Sequence, residues 1–192
     1  MTAAPLLVLI GPAASGKSTV GALVADRLGV PFVDLDAVAA PAYAEVGWSV
    51  TRLTTRIAAV GRLAAEVEWE PARAHAVARV VAEHPGAVVA LGAGHTSFTS
   101  AVHAAAVRAA LAPVRAVVLL LPAQRPGEAV AVLRARSLAD KGTDWVRDGH
   151  DFLAGWVADP AVRALATHVV VTGDEPPGRT AERVARLVRP EG

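Results

Sequence analysis

The 192-residue chain has no cysteine, one methionine and only 4% aromatic residues. Without cysteine there is neither a disulfide framework nor thiolate chemistry, and a reducing, cytoplasmic setting is the expectation. Long hydrophobic runs are missing too. Near the N-terminus Leu6-Leu7-Val8-Leu9-Ile10 stops after five residues at Gly11-Pro12, with no basic stretch before it, so neither a signal peptide nor a membrane span is expected. An excess of one charge is also lacking: 19 Lys and Arg against 18 Asp and Glu leave a net charge of +1. That balance sets up no long-range field for nucleic acid or a membrane surface, and no such partner is expected. The six histidines show no HxxxH or His/Asp spacing that would make a zinc site. Lysine is nearly absent, since 17 of the 19 basic residues are arginine, which sets Lys17 and Lys141 apart.

What is abundant is alanine, valine, glycine and proline, and the hydrophobic fraction is 53%. At this length one sizeable core and a single domain over 1–192 are expected. Five short apolar runs bounded by Gly, Pro or Asp read as buried strands: 6–10, 31–35, 87–91, 115–121 and 168–172. Helical spacing connects them. Val20, Leu23, Val24 and Leu28 mark a helix over 17–28 with Gly29 as its C-cap, and Ala181, Val184, Leu187 and Val188 give the last helix an apolar face. Strands alternating with helices imply an α/β fold of three layers around a parallel sheet. Two segments depart from the alternation. Residues 37–86 hold two or three helices without a strand, with Pro71 expected to break or kink the second near Glu70, and 124–166 is helical around a polar stretch from Ser137 to Asp151.

The run GPAASGKST at 11–19 satisfies the phosphate-binding pattern G-x-x-x-x-G-K-[ST], with an expected strand before it and a helix starting inside it. Its glycines let successive backbone N–H groups of Gly11, Ala14, Ser15, Gly16, Lys17, Ser18 and Thr19 curl around phosphate oxygens, and the helix N-terminus adds partial positive charge. Lys17 then reaches the β- and γ-phosphates and the Ser18 hydroxyl coordinates Mg²⁺, so ATP and Mg²⁺ are the expected cofactors. Neither 87–91 nor 115–121 ends in the acid that usually holds the metal in nucleotide hydrolases. The acids sit in PFVDLD, where Asp34 and Asp36, two apart on the expected strand, point the same way. One carboxylate near the metal and one near a hydroxyl fit that spacing, and so does a solvated strand end leading into a helix cap.

The stretches GPAASGKSTVGALVADRLGVPFVDLD and VVALGAGHTS resemble the shikimate kinases. The resemblance implies a P-loop kinase fold with a five-stranded parallel sheet, a substrate-binding helical region at 37–86 and a lid at 124–166. It implies that Asp34 positions Mg²⁺ and that Asp36 contacts the acceptor hydroxyl. It also implies that Gly92, Ala93, Gly94 and His95, with Ala93 in the middle of the family's glycine triplet, lie against the substrate. At substrate selection the sequence departs from the family. Where that family places a Phe-Arg pair whose Arg clamps the shikimate carboxylate, an ungapped count puts Ala65 and Glu66, and its second arginine falls at Ala158 or Asp159. A carboxylate there is repelled rather than paired. Arg62, Arg73 and Arg163 are the possible substitutes, and an acceptor other than shikimate is expected, neutral or amine-bearing if Glu66 lines its pocket.

Kinases bring cations over the moving phosphoryl group. In VLRARSLADKGTDWVRDG the choices are Arg136 at a helix end and Lys141 beside Gly142, although the family's lid arginine maps onto Ala139. His75, His84, His103, His150 and His168 are read as structural. The function expected is transfer of the γ-phosphoryl group of ATP to a hydroxyl of a small polar metabolite, with Lys17, Asp36, Arg136 and Lys141 catalytic. The alternatives are a nucleoside or nucleoside monophosphate kinase using Arg52, Arg56, Arg62 and Arg73, and a silent nucleotide-binding module. A monomer or a homodimer is expected.

Overall fold

A strand that is apolar at every position has to be covered on both faces. In the computed structural model, which describes residues 4–188, the strands are β1 (Leu7–Ile10), β2 (Phe32–Asp34), β3 (Val88–Ala90), β4 (Ala116–Leu121), β5 (Val146–Arg147), β6 (His150–Asp151) and β7 (His168–Val171). Five of them form one parallel sheet in the order β2-β3-β1-β4-β7, with Val8 opposite Val89 on one side and Val117 on the other. β1 is central, and all four of its side chains are completely buried. Each such side chain stabilises the fold by about 1.5–3 kcal/mol.

The helices are α1 (Lys17–Leu28), α2 (Leu35–Val38), α3 (Ala40–Glu45), α4 (Val50–Val60), α5 (Arg62–Glu83), α6 (Ala101–Leu111), α7 (Pro126–Lys141), α8 (Phe152–Ala158), α9 (Pro160–Leu165) and α10 (Pro177–Arg186). The period of two along β1 sorts the core into two layers. Leu7 and Leu9 pack with Val20 and Val24 of α1 and with Ala181 and Val184 of α10. Val8 and Ile10 pack with Val77 and Val80 of α5 and with Val107 and Leu111 of α6. All five expected sheet strands are present, and α1 ends at Gly29 in the left-handed conformation, its N–H bonded to the helix's last carbonyls.

Three expectations fail. Residues 35–83 carry four helices rather than two or three. The break expected as one outcome at Pro71 is absent, because α5 runs through it from Arg62 to Glu83. Pro71 deprives the Val67 carbonyl of its helical donor, but Val67 is 44% exposed and water can reach that carbonyl. Meanwhile Glu70 and Ala72 on either side are anchored by burial. The lid region also holds the two-residue strands β5 and β6, paired antiparallel inside the polar stretch, where no strand was expected. Strands that short leave no periodicity to read.

Candidate active site

The carboxyl ends of β1, β2 and β3 open toward the same side, where open α/β sheets bind ligands. After β1 the chain enters the 11–16 turn with Gly11 at φ 139°, where a Cβ would sit 2.6 Å from the Leu120 carbonyl oxygen. Gly16, at φ 88°, is the N-cap of α1. Ala14 holds φ 60°, an uncommon conformation for a residue with a side chain. Ser15 Oγ is buried and has no hydrogen-bond partner, as a hydroxyl awaiting a ligand oxygen would be. Lys17 Nζ reaches back across the turn and donates to the carbonyls of Gly11 (2.9 Å) and Pro12 (2.7 Å). Burial, together with the nearby Lys141, lowers its pKa to about 8 against the pull of Asp36 and Asp34.

Ser18 Oγ donates to Asp34 Oδ2 at 2.5 Å. Asp34 is the last residue of β2 and the N-cap of α2, its Oδ1 accepting from the Asp36 N–H at 3.1 Å. Asp36 therefore lies on the first turn of α2 and not on the strand. The cap, rather than the pleat, brings the two carboxylates to one side. Both line a cavity of about 410 Å³. Desolvation and the charge of Asp34 raise the Asp36 carboxyl above the ordinary range, while Lys17 and Lys141 pull it back.

After β3, Gly92 passes so close that a Cβ would lie 2.3 Å from Asp36 Oδ1 and 2.5 Å from His95 Nδ1, so any side chain there would displace one of them. Ala93 is not among the residues with positive φ, which is why its methyl is accommodated. The His95 ring is 3% exposed, with Nε2 2.7 Å from the Tyr43 hydroxyl. Nδ1 has no hydrogen-bond partner and lies 3.8 Å from Asp36 Oδ1. Burial, helped by the charge of Arg73, lowers the imidazole to about 3, so it is neutral at pH 7. With Nδ1 carrying the proton, Tyr43 donates to Nε2 and the Nδ1–H faces Asp36.

The three acids of EVEWE part company. Glu68 faces solvent and pairs with Arg56 (2.7 Å). Glu70 is buried and accepts from the backbone N–H of Thr99 (2.5 Å) and of Ser100 (3.0 Å). Glu66, 8% exposed, lines the cavity. Its Oε1 accepts from Arg62 Nε at 2.7 Å, and its Oε2 is 3.6 Å from Arg73 Nε. Arg73 donates through its two terminal nitrogens to the carbonyls of Gly94, Ser97 (3.1 Å) and Glu66 (3.1 Å), while its buried Nε has no hydrogen-bond partner. Arg62 is thus committed to Glu66, and the terminal nitrogens of Arg73 to backbone. Trp69 lines the same wall.

The lid reaches the cavity through Asp140, Lys141, Trp145 and Trp156, the two indoles meeting edge to face at 5.2 Å. Leu133 and Leu153 pack on Ala13 of the phosphate-binding turn. Arg136 is a correction. It is not on the cavity wall, and its Nη2 donates to the Gly173 carbonyl (3.3 Å) in the loop after β7. Five positions along a helix turn a side chain by about 140°, so Arg136 and Lys141 cannot face one target. Of the other expected site residues, Ala14, Ser15, Gly16, Lys17, Ser18, Thr19, Asp34, Asp36, Glu66, Ala93, Gly94 and His95 line the cavity, while Gly11 and Gly92 act through backbone and close approach. Tyr43, Asp140, Trp145 and Trp156 were not legible beforehand. The chain's single tyrosine and a tryptophan next to the lid lysine's turn are the only signals it gives.

No helix among the described residues is long and apolar enough to cross a membrane. The profile of the family described as "Shikimate kinase" matches residues 13–188. A shikimate kinase of Thermobifida fusca is 33% identical over 188 residues, covering 97% of this chain and 96% of that protein. One of Streptomyces coelicolor is 36% identical over 135 residues, covering 70% of this chain and 69% of the relative. Among solved structures, the shikimate kinase of Acinetobacter baumannii in complex with shikimate superposes with a TM-score of 0.67 at 21% identity, over 97% of this chain and 93% of that one, and so shares the fold. With a phosphate-binding turn, a carboxylate pair beside it and a match that runs nearly end to end, the chain belongs to the shikimate kinase family and is a P-loop phosphotransferase with an alcohol group as acceptor.

Proposed function

We propose that the chain transfers the γ-phosphoryl group of ATP to a hydroxyl of a small polar metabolite other than shikimate, bound among Asp36, Glu66, Trp69 and His95. The observation that carries this reading is the pairing of Glu66 with Arg62 and Arg73 on the cavity wall. An acceptor carboxylate there would meet a carboxylate whose arginines are already engaged, and it would lose its water without gaining a forked partner. A neutral polyol or an amine meets no such penalty.

In the transfer, the bond from the γ-phosphorus to the bridging oxygen breaks as the acceptor oxygen bonds to phosphorus, and the hydroxyl proton leaves late. Asp36 orients that hydroxyl, and its raised pKa suits it to receive the proton. His95 supports Asp36 from behind, and the Ser15 hydroxyl and the backbone N–H groups of 14–19 grip the phosphates. Lys17 leaves its carbonyl partners to follow the β- and γ-phosphates, and Lys141 covers the moving charge from the lid. A hydroxyl and a carboxylate oxygen at Ser18 and Asp34 are the donor set of a hard cation, so these two residues would hold Mg²⁺, which supplies charge neutralisation at the β- and γ-phosphates when bound. Residues 37–86 serve as the substrate region and 124–166 as the lid of one kinase domain.

A second reading, shikimate itself, is favoured by the names of the relatives and by two arginines on the wall. Coupled ADP-release assays separate the readings. Turnover of cyclitols, sugars or amino-alcohols with higher kcat/KM than shikimate supports the proposal. The opposite order overturns it, preference for nucleosides or their monophosphates points to another kinase class, and nucleotide binding without turnover points to a silent module.

A further inference from the structure

Next to the cavity that holds Lys17 and Asp36 lies a second chamber of about 370 Å³. The two share a wall, because Glu66, Arg73 and Trp156 line both. The second chamber is apolar where the first is not. Leu63 and Val67 on one turn of α5 face it from one side, Phe98 from another, and Phe152, Trp156 and Pro160 from the lid. Leu63 and Val67 are 41% and 44% exposed, two aliphatic side chains left uncovered at a rim of aromatic ones. The carboxylates around the chamber are spent on internal bonds. Glu70 holds the Thr99 and Ser100 amides, Asp159 accepts from Ser97 Oγ (2.6 Å) and from the Ala161 N–H (2.8 Å), and Arg73 is bound to three carbonyls.

We infer that this chamber is a second compartment of the acceptor site and takes an uncharged apolar arm, an aromatic ring or a short alkyl chain, carried by the molecule whose hydroxyl is phosphorylated. The inference rests on the kinase reading above for the reacting hydroxyl. The shared wall places both chambers within reach of one molecule, so the occupant is an arm of the acceptor rather than a separate ligand. The leucine, valine and aromatic lining makes the arm apolar: a charged arm would be desolvated against it, and the carboxylates of Glu70 and Asp159 are already bonded. Burial of a ring against three aromatic side chains favours the armed acceptor by roughly 10- to 100-fold in kcat/KM over its methyl counterpart.

Binding is read first without turnover. Benzyl alcohol is titrated into the full chain, and the indole N–H resonance of Trp156, assigned with Trp156→Phe, is followed. A saturable shift is expected, lost in Gly155→Leu and weakened in Val67→Asp. Gly155 lies on the chamber wall, and a Cβ there would meet only the His150 ring, at 3.4 Å from Nε2 and 3.8 Å from Cε1, ordinary contacts, so a larger side chain is accommodated and fills the space. No saturable shift up to the solubility limit, or the same shift in both variants with unchanged melting, overturns the chamber. Turnover is read second, as the ratio of kcat/KM for benzyl against methyl ethers of each polyol. A ratio of about ten or more that collapses toward one in Gly155→Leu supports the inference, and a ratio at or below one in the unaltered enzyme overturns it. A saturable Trp156 shift with no polyol turned over supports the chamber and overturns the polyol-acceptor reading instead.

Discussion

Glu66→Gln is the perturbation that bears most directly on the choice of acceptor. Glu66 stands on the cavity wall with Arg62 on one carboxylate oxygen and Arg73 nearest the other. The amide keeps the size of the side chain and removes its charge. Its oxygen, in the place of Oε1, can still accept from Arg62, but the amide nitrogen then faces Arg73, whose Nε is already without a hydrogen-bond partner and whose charge is no longer answered. A carboxylate-bearing acceptor then gains at least one charge-assisted hydrogen bond, on the order of 1.5–3 kcal/mol. That corresponds to a fall in the KM for shikimate of roughly 10- to 150-fold. Neutral polyols, which gain nothing from a freed cation, are expected to bind no better. The assay is coupled ADP release with shikimate and with the best neutral acceptor, comparing the variant with the parent enzyme. An unchanged shikimate KM in Glu66→Gln, with melting preserved, would falsify the argument that Glu66 turns carboxylates away.

Four further outcomes are expected. Lys17 has a pKa depressed to about 8 by burial in the ligand-free chain and binds a polyanion as a cation, so nucleotide binding should take up little proton at pH 7 and approach one proton above pH 8. Calorimetry in buffers of different ionisation enthalpy measures this, and uptake that stays flat with pH refutes it. Because the folded pKa lies below the unfolded value, the same group makes stability rise as pH climbs from about 8 toward 10.5, and Lys141→Ala should move the lower limit of that window upward. Gly92→Ala places a methyl into the space of Asp36 Oδ1 and His95 Nδ1, and a displaced carboxylate should lower kcat by about 100-fold with nucleotide affinity retained; a kcat within threefold of the parent would remove Asp36 from the orienting role. Tyr43→Phe leaves His95 Nε2 buried without its partner and should cost about 1–3 kcal/mol in denaturant unfolding, so a loss below half a kcal/mol would show that the hydroxyl is not the ring's support.

Local patterns were sufficient wherever a function is carried by consecutive residues. The 11–19 turn, the buried strands and the cap at Gly29 follow from short-range spacing, because hydrogen bonding and burial there act within one or two turns of chain. Asp34 and Asp36 were identified as a pair, but the reason was different: a cap that turns the chain, where a strand's alternation had been expected. Arg136 and Lys141 looked equivalent in sequence, and the winding of α7 sends them to different places.

The amino-acid order by itself determined the α/β class, the phosphate-binding turn with Lys17 and Ser18, and the presence of an acid where a clamping arginine was expected. Only the tertiary structure decided what that acid does. Whether Glu66 is solvated or buried depends on Arg62, one turn before it, and on Arg73, two turns beyond it, both closing over it as α5 continues through Pro71. Likewise the support of Asp36 by His95 and Tyr43, and the apolar chamber between α5 and the lid, join residues from about 50 to almost 100 positions apart. No local periodicity encodes such contacts, because they arise from how the layers pack rather than from the turn-by-turn preferences of the chain.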